Sequence, residues 1–105
     1  MNISKGYRFI FNSRLGIHVP EFDQEWESYS VKDQSDIIQR WDQERAKIPD
    51  QIRKLEHEII RKQDAMFEMS FEEYLIVHRQ IVDLASRIND LNIWYRTEGH
   101  ITNHR

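Results

Sequence analysis

The chain has 105 residues, 39% hydrophobic and 31% charged, with 15 Lys and Arg against 18 Asp and Glu for a formal net charge of −3. That length fits one domain with a thin core, too small for a deep pre-formed cleft. The balance of charge supplies no field toward nucleic acid or an anionic membrane. The chain has no cysteine, which removes disulfides, thiolate zinc sites and cysteine nucleophiles.

Residues 1–20 read as an extended, hairpin-like segment. Tyr7, Phe9 and Phe11 alternate with Arg8, Ile10 and Asn12; Asn12 to Leu15 would form the turn, and Ile17 and Val19 flank His18 after the break at Gly16. A two-stranded hairpin is marginal alone in water. It must therefore lie as a lid on the helical core or pair its open edges with another molecule. The same segment lacks the apolar h-region and small-residue cleavage site of a signal peptide. With no run of about 18 apolar residues anywhere, the expectation is a cytoplasmic protein without a membrane segment.

Residues 21–47 read as a short helix and a longer one. In Pro20 to Tyr29 the aromatics Phe22, Trp26 and Tyr29 are spaced four and three apart, which predicts one face of a short helix. Ser30 and Asp33 resemble a capping box with Asp standing in imperfectly for Glu. A helix over Val31 to Lys47 follows, with Ile37, Ile38 and Trp41 inward and an Asp36–Arg40 pair one turn apart. Pro49 interrupts it. The favoured reading is a new helix with Pro in its first turn and Asp50 beside it complementing the macrodipole, and the alternative is a kink.

Residues 49–97 read as an antiparallel helical hairpin. Its first helix, Pro49 to Phe67, carries Ile48, Ile52, Leu55, Ile59, Met66 and Met69 on one seam; Lys62 fills the missing place by snorkelling, with Glu58 near enough to hold it. Ser70 and Glu73 then write a capping box, with Met69 and Tyr74 as a hydrophobic staple. The second helix, Phe71 to Thr97, spans roughly 27 residues or about 40 Å, with Gly99 just beyond its end. Its helical seam is Tyr74, Val77, Ile81, Leu84, Ile88, Leu91 and Tyr95, the strongest periodic pattern in the chain. A second stripe, Leu75, His78, Val82 and Ala85, predicts a further neighbour: the helix containing Trp41, or a second copy of the chain. Residues 98–105 form a tail.

No pattern here names a reaction. His100 and His104 are four apart but lack the glutamate of a zinc-protease helix, and there are no Glu-x-x-His pairs for a di-iron bundle. His78 on the apolar stripe reads as a half-buried structural histidine, and His57 points to a solvated face. Gly6, Gly16 and Gly99 fit no phosphate loop, and no serine sits in a nucleophile elbow. No cofactor or metal is expected.

The fold expected is mainly α: a helical hairpin, a preceding helix packed on it and a short β-like N-terminal segment, with a bundle formed by dimerisation. The function expected is that of a non-enzymatic interaction or adaptor protein with a protein partner of unknown identity. Tyr7, Phe9, Phe11, Trp26 and Trp94 are its candidate contacts. Interleaved aromatic and basic residues at Tyr7, Arg8, Phe9, Phe11 and Arg14 carry the alternative, single-stranded nucleic acid, against which the missing basic stripe counts.

Overall fold

The computed structural model describes residues 6–96. In chain order these form β1 (Tyr7–Asn12), β2 (Ile17–Phe22), a 3-10 turn (Trp26–Ser28), α1 (Val31–Arg45), α2 (Ile48–Ala65), a second 3-10 turn (Met66–Glu68) and α3 (Phe71–Tyr95). The protein is mostly helical with a small two-stranded antiparallel sheet.

The strands pair from Tyr7 with Phe22 through Asn12 with Ile17. Asn12 closes the turn: its C=O accepts from the N–H of Leu15 at 3.1 Å and of Gly16 at 2.8 Å, and its Oδ1 accepts from the Leu15 N–H at 3.1 Å. Gly16 has φ +75°, a left-handed conformation that strains any residue with a Cβ. The hairpin lies on its own helices. Tyr7, Phe9 and Val19 pack against the core, and the Arg40 guanidinium sits 4.8 Å from the centre of the Phe9 ring.

The short helix expected before Tyr29 does not form. Pro20, Glu21 and Phe22 belong to β2, and only one 3-10 turn follows. Pairing with β1 explains the difference: the Asp23 N–H donates to the Gly6 C=O at 2.8 Å, so the chain stays extended until too few residues remain for a helix. Tyr29 is buried, and its hydroxyl donates to the same Gly6 carbonyl, clasping the open end of the hairpin. The aromatics still gather, with Phe22, Trp26 and Tyr29 ring centres 5.8 to 6.3 Å apart.

Ser30 caps α1, its hydroxyl accepting from the Asp33 N–H at 3.0 Å. Asp36 accepts from Lys32 at 2.8 Å. The helix ends at Arg45, short of Lys47, as the Lys47 N–H tightens onto the Glu44 C=O at 3.0 Å. After two intervening residues Ile48, completely buried, opens α2 with Pro49 in its first turn, so the break is a new helix start. That helix stops at Ala65, before Phe67, which lies in the 3-10 turn. Ser70 then starts α3 with the full reciprocal box: its hydroxyl accepts from the Glu73 N–H at 3.2 Å, and its own N–H donates to Glu73 Oε1 at 3.1 Å. The helix runs 25 residues to Tyr95. Gly99, His100 and His104 lie outside the described residues.

The core is at one end. Leu15 and Ile17 from the β-hairpin, Tyr29, Ile37 and Trp41 from α1, Ile48 from α2 and Leu91 from α3 form one buried cluster. The α1 helix reaches α3 through Trp41 on Trp94, ring centres 5.4 Å apart. Arg45 adds a hydrogen bond from Nε to the Tyr95 C=O at 2.6 Å. Arg14 in the hairpin turn pairs with Asp90 and donates to Ser86 Oγ at 2.8 Å. The rest of α2 and α3 projects from this base, giving a molecule 58 Å long and 22 to 28 Å across.

Candidate functional site

The α3 seam is covered unevenly. Leu84 and Leu91 are buried, Val77, Ile81 and Ile88 are half-buried, and Tyr74 and Tyr95 at its two ends are exposed. All seven follow the spacing that faces α2. Lys62 snorkels across that seam, its Nζ donating to Gln80 Oε1 at 2.9 Å. Glu58, expected to hold it, lies 3.7 Å from Arg61 instead.

Among the described residues, nothing covers the second stripe. Leu75 is 44% exposed and Val82 54%, and His78 and Ala85 are exposed with them. The helix containing Trp41 was one candidate to lie there. It packs instead at the base, on Trp94, because its buried residues Ile37 and Trp41 are drawn to Leu91 and the β-hairpin. His78 is correspondingly exposed and not half-buried, its ring stacked parallel to Tyr74 at 6.1 Å.

Phe71, 73% exposed, extends the stripe toward the hairpin tip at the spacing Phe71, Leu75, His78, Val82. Ile60 on α2, 53% exposed, lies to the same side of the hairpin by helical spacing, and Phe67, 90% exposed, stands in the turn at its tip. One side of the projecting hairpin is therefore apolar. The opposite side is an open groove lined by Glu58, Lys62, Arg79, Gln80, Asp83 and Arg87, with the exposed Ile76 and the buried Leu84 among them.

The N-terminal candidate contacts fall elsewhere. Tyr7, Phe9, Trp26 and Trp94 pack against the core, and Phe11 is 54% exposed with its edge on His18 at 5.2 Å. Arg8 is held by Asp23 at 2.7 Å, which above all raises its pKa further, and by Glu21 at 3.0 Å, and Arg14 is held by Asp90. The basic side chains of the nucleic-acid reading are thus neutralised within the chain.

The residue that spacing arguments missed is Glu44. It is 6% exposed, and its Oε1 accepts from the His18 backbone N–H at 2.7 Å and lies 3.3 Å from His18 Nδ1, while Oε2 accepts from Lys47 at 2.8 Å. Burial pushes the carboxyl up, but the Lys47 ammonium and the His18 N–H outweigh it and hold the pKa below the usual value. A buried carboxylate with a histidine and a lysine has the composition of a reactive site. Its bonds to His18 tie β2 to α1. The signal was present: Ile37, Trp41 and Glu44 are spaced four and three apart, which puts a carboxylate on the inward face.

Among the described residues, no group of three or more His, Asp or Glu is placed to hold a metal, and no helix is long and apolar enough to cross a membrane. His57 is exposed. The arrangement defines a small α-rich protein whose β-hairpin and first helix anchor a projecting helical hairpin with one apolar side that no described residue covers. No protein-family model matches the chain, and no curated protein or solved structure is significantly similar to it.

Proposed function

We propose that the protein is a non-enzymatic interaction protein, a cytoplasmic adaptor or regulator that presents the apolar side of its projecting hairpin to another protein chain, self-association into a homodimer included. The observation that supports this reading is the row Phe71, Leu75 and Val82, 73%, 44% and 54% exposed, on a helix whose inward seam already faces α2. Scattered apolar side chains on a surface are ordinary, but a contiguous row at helical spacing is the signature of a docking face. Aromatic anchors at its end, Phe67 and Phe71, fit such a face. Of the N-terminal aromatics, Phe11 alone among the candidate contacts keeps more than half of its surface exposed; the hairpin carries more of the support.

A photoreactive amino acid in place of Leu75, in the full chain expressed in its native cell, tests this. The expected result is a covalent protein adduct on irradiation, absent when the same group replaces the exposed Asp42 on α1. Irradiation that gives no adduct at position 75 overturns the reading.

A further inference from the structure

We infer that the occupant of this apolar side is a second copy of the same chain, docked antiparallel across a two-fold axis so that two hairpins build a four-helix bundle; this rests on the interaction reading above and names its partner. A two-fold interface has to be complementary to itself, with residue i meeting j and j meeting i. When a helix pairs antiparallel with its own copy, residues equidistant from the axis meet. On α3 the midpoint of Phe71 and Val82 and the midpoint of Leu75 and His78 coincide, between Ile76 and Val77. One axis at that level sets Phe71 against Val82 of the second copy and Leu75 against its His78, with the reciprocal contacts repeated on the other side.

The α2 side agrees. The midpoint of Ile60 and Phe67 falls between Gln63 and Asp64. The Lys62–Gln80 hydrogen bond sets the register of the hairpin, and in that register the two midpoints lie within about two residues, or about 3 Å, of the same level. The axis that pairs the α3 stripe with itself therefore also brings Ile60 to Phe67 of the second copy.

Charge completes the match. Glu72 and Arg79 run along the outer line of α3 beside the stripe, both exposed. Two helical turns separate them, about 10 Å, so they do not reach each other within one helix. Among the described residues neither makes an ion pair in the isolated chain; Arg79 also lines the groove on the other side of the hairpin. Their midpoint lies between Leu75 and Ile76, within one residue of the apolar axis. The antiparallel dimer thus brings Glu72 of each copy to Arg79 of the other, two reciprocal ion pairs flanking the apolar contacts and fixing their direction.

The test is the mass of the full chain in solution, by sedimentation equilibrium, combined with a charge swap. The wild type is expected at twice the chain mass at tens of micromolar. Leu75→Arg runs as a monomer with unchanged helical circular dichroism, because Leu75 does not belong to the monomer core. Glu72→Arg and Arg79→Glu each weaken the dimer about tenfold, since each replaces two attractive contacts by two repulsive ones, and the double variant restores it to within about threefold. A wild-type monomer at these concentrations overturns the inference, and so does a double variant no tighter than the singles. The adduct at position 75 separates the two readings: an adduct with a different protein from a monomeric chain overturns the second copy alone, whereas no adduct removes the interaction reading beneath it.

Discussion

Trp41 of α1 and Trp94 of α3 meet edge to face with ring centres 5.4 Å apart, at an interplanar angle of 61°. This contact divides α3 into a base-proximal part, where α1 and the β-hairpin join α2 in the core, and a projecting part that among the described residues only α2 covers. The Trp41 indole Nε1 is buried there without a hydrogen-bond partner among the described residues. Packing holds the two indoles together, and the Arg45 bond to the Tyr95 carbonyl adds to the joint beside them.

Trp41→Ala should therefore cost about 3–5 kcal/mol in urea unfolding, as for other fully buried large side chains. Trp41→Phe should cost less than half as much, because it keeps an aromatic ring against Trp94 and sacrifices no hydrogen bond. A Trp41→Phe loss equal to that of Trp41→Ala would show that the indole N–H has a partner after all.

The gradient along α3 predicts a matching gradient in mutational cost. Leu91 is 0% exposed, and Leu91→Ala should destabilise the fold by about 3 kcal/mol. Leu75→Ala should cost less than about 1 kcal/mol when measured at about 1 μM, where association contributes little. Comparable losses at the two positions in the monomer would mean that the projecting half is folded around Leu75.

What was legible in the sequence was what is local. Ser70 and Glu73 are three residues apart and specify the start of α3 without help from elsewhere, and the seam from Tyr74 to Tyr95 needs only its own spacing. Phe22, Trp26 and Tyr29 carried a helical spacing as well, yet strand pairing with a segment 15 residues earlier, Tyr7 with Phe22, kept the chain extended through Phe22 and left only a 3-10 turn at Trp26. Local periodicity lost there to nonlocal hydrogen bonds. Glu44 was hidden for the same reason: its partner His18 lies 26 residues away. The second stripe was plainly apolar in sequence, but whether α1 would cover it depended on where Trp41 docks, which no spacing within α3 records.

The cap of α3 should be visible in acid. Glu73 has its pKa lowered by the Ser70 N–H and hydroxyl, so its contribution is complete above the ordinary carboxylate value, about 4.3, and is lost as pH falls through the lower folded value. Ser70→Ala should cost about 1 kcal/mol at neutral pH. The backbone amide of Glu73 should exchange faster in that variant, while that of Leu91 changes only by the global loss. Equal changes at both amides would assign the cap no local role.

Glu44 should give the larger acid effect because it ties two elements across the core. Its pKa is held below the usual value, so by the same sign its stabilisation is present at neutral pH and disappears as the carboxyl protonates in acid. Glu44→Gln keeps the volume and an acceptor for the His18 N–H but surrenders the charge that Lys47 and that N–H stabilise. It should cost roughly 1.5–3 kcal/mol at pH 7, the range for hydrogen bonds to a charged group. The difference between wild type and variant should shrink steadily below about pH 4.5, which isolates Glu44 from the other carboxylates titrating in both proteins. The His18 amide supplies the local readout, since hydrogen exchange there should quicken in Glu44→Ala beyond the global loss. A wild-type-to-variant difference that stays constant from pH 7 to pH 3 would mean that shape, and not charge, holds the β-hairpin to α1.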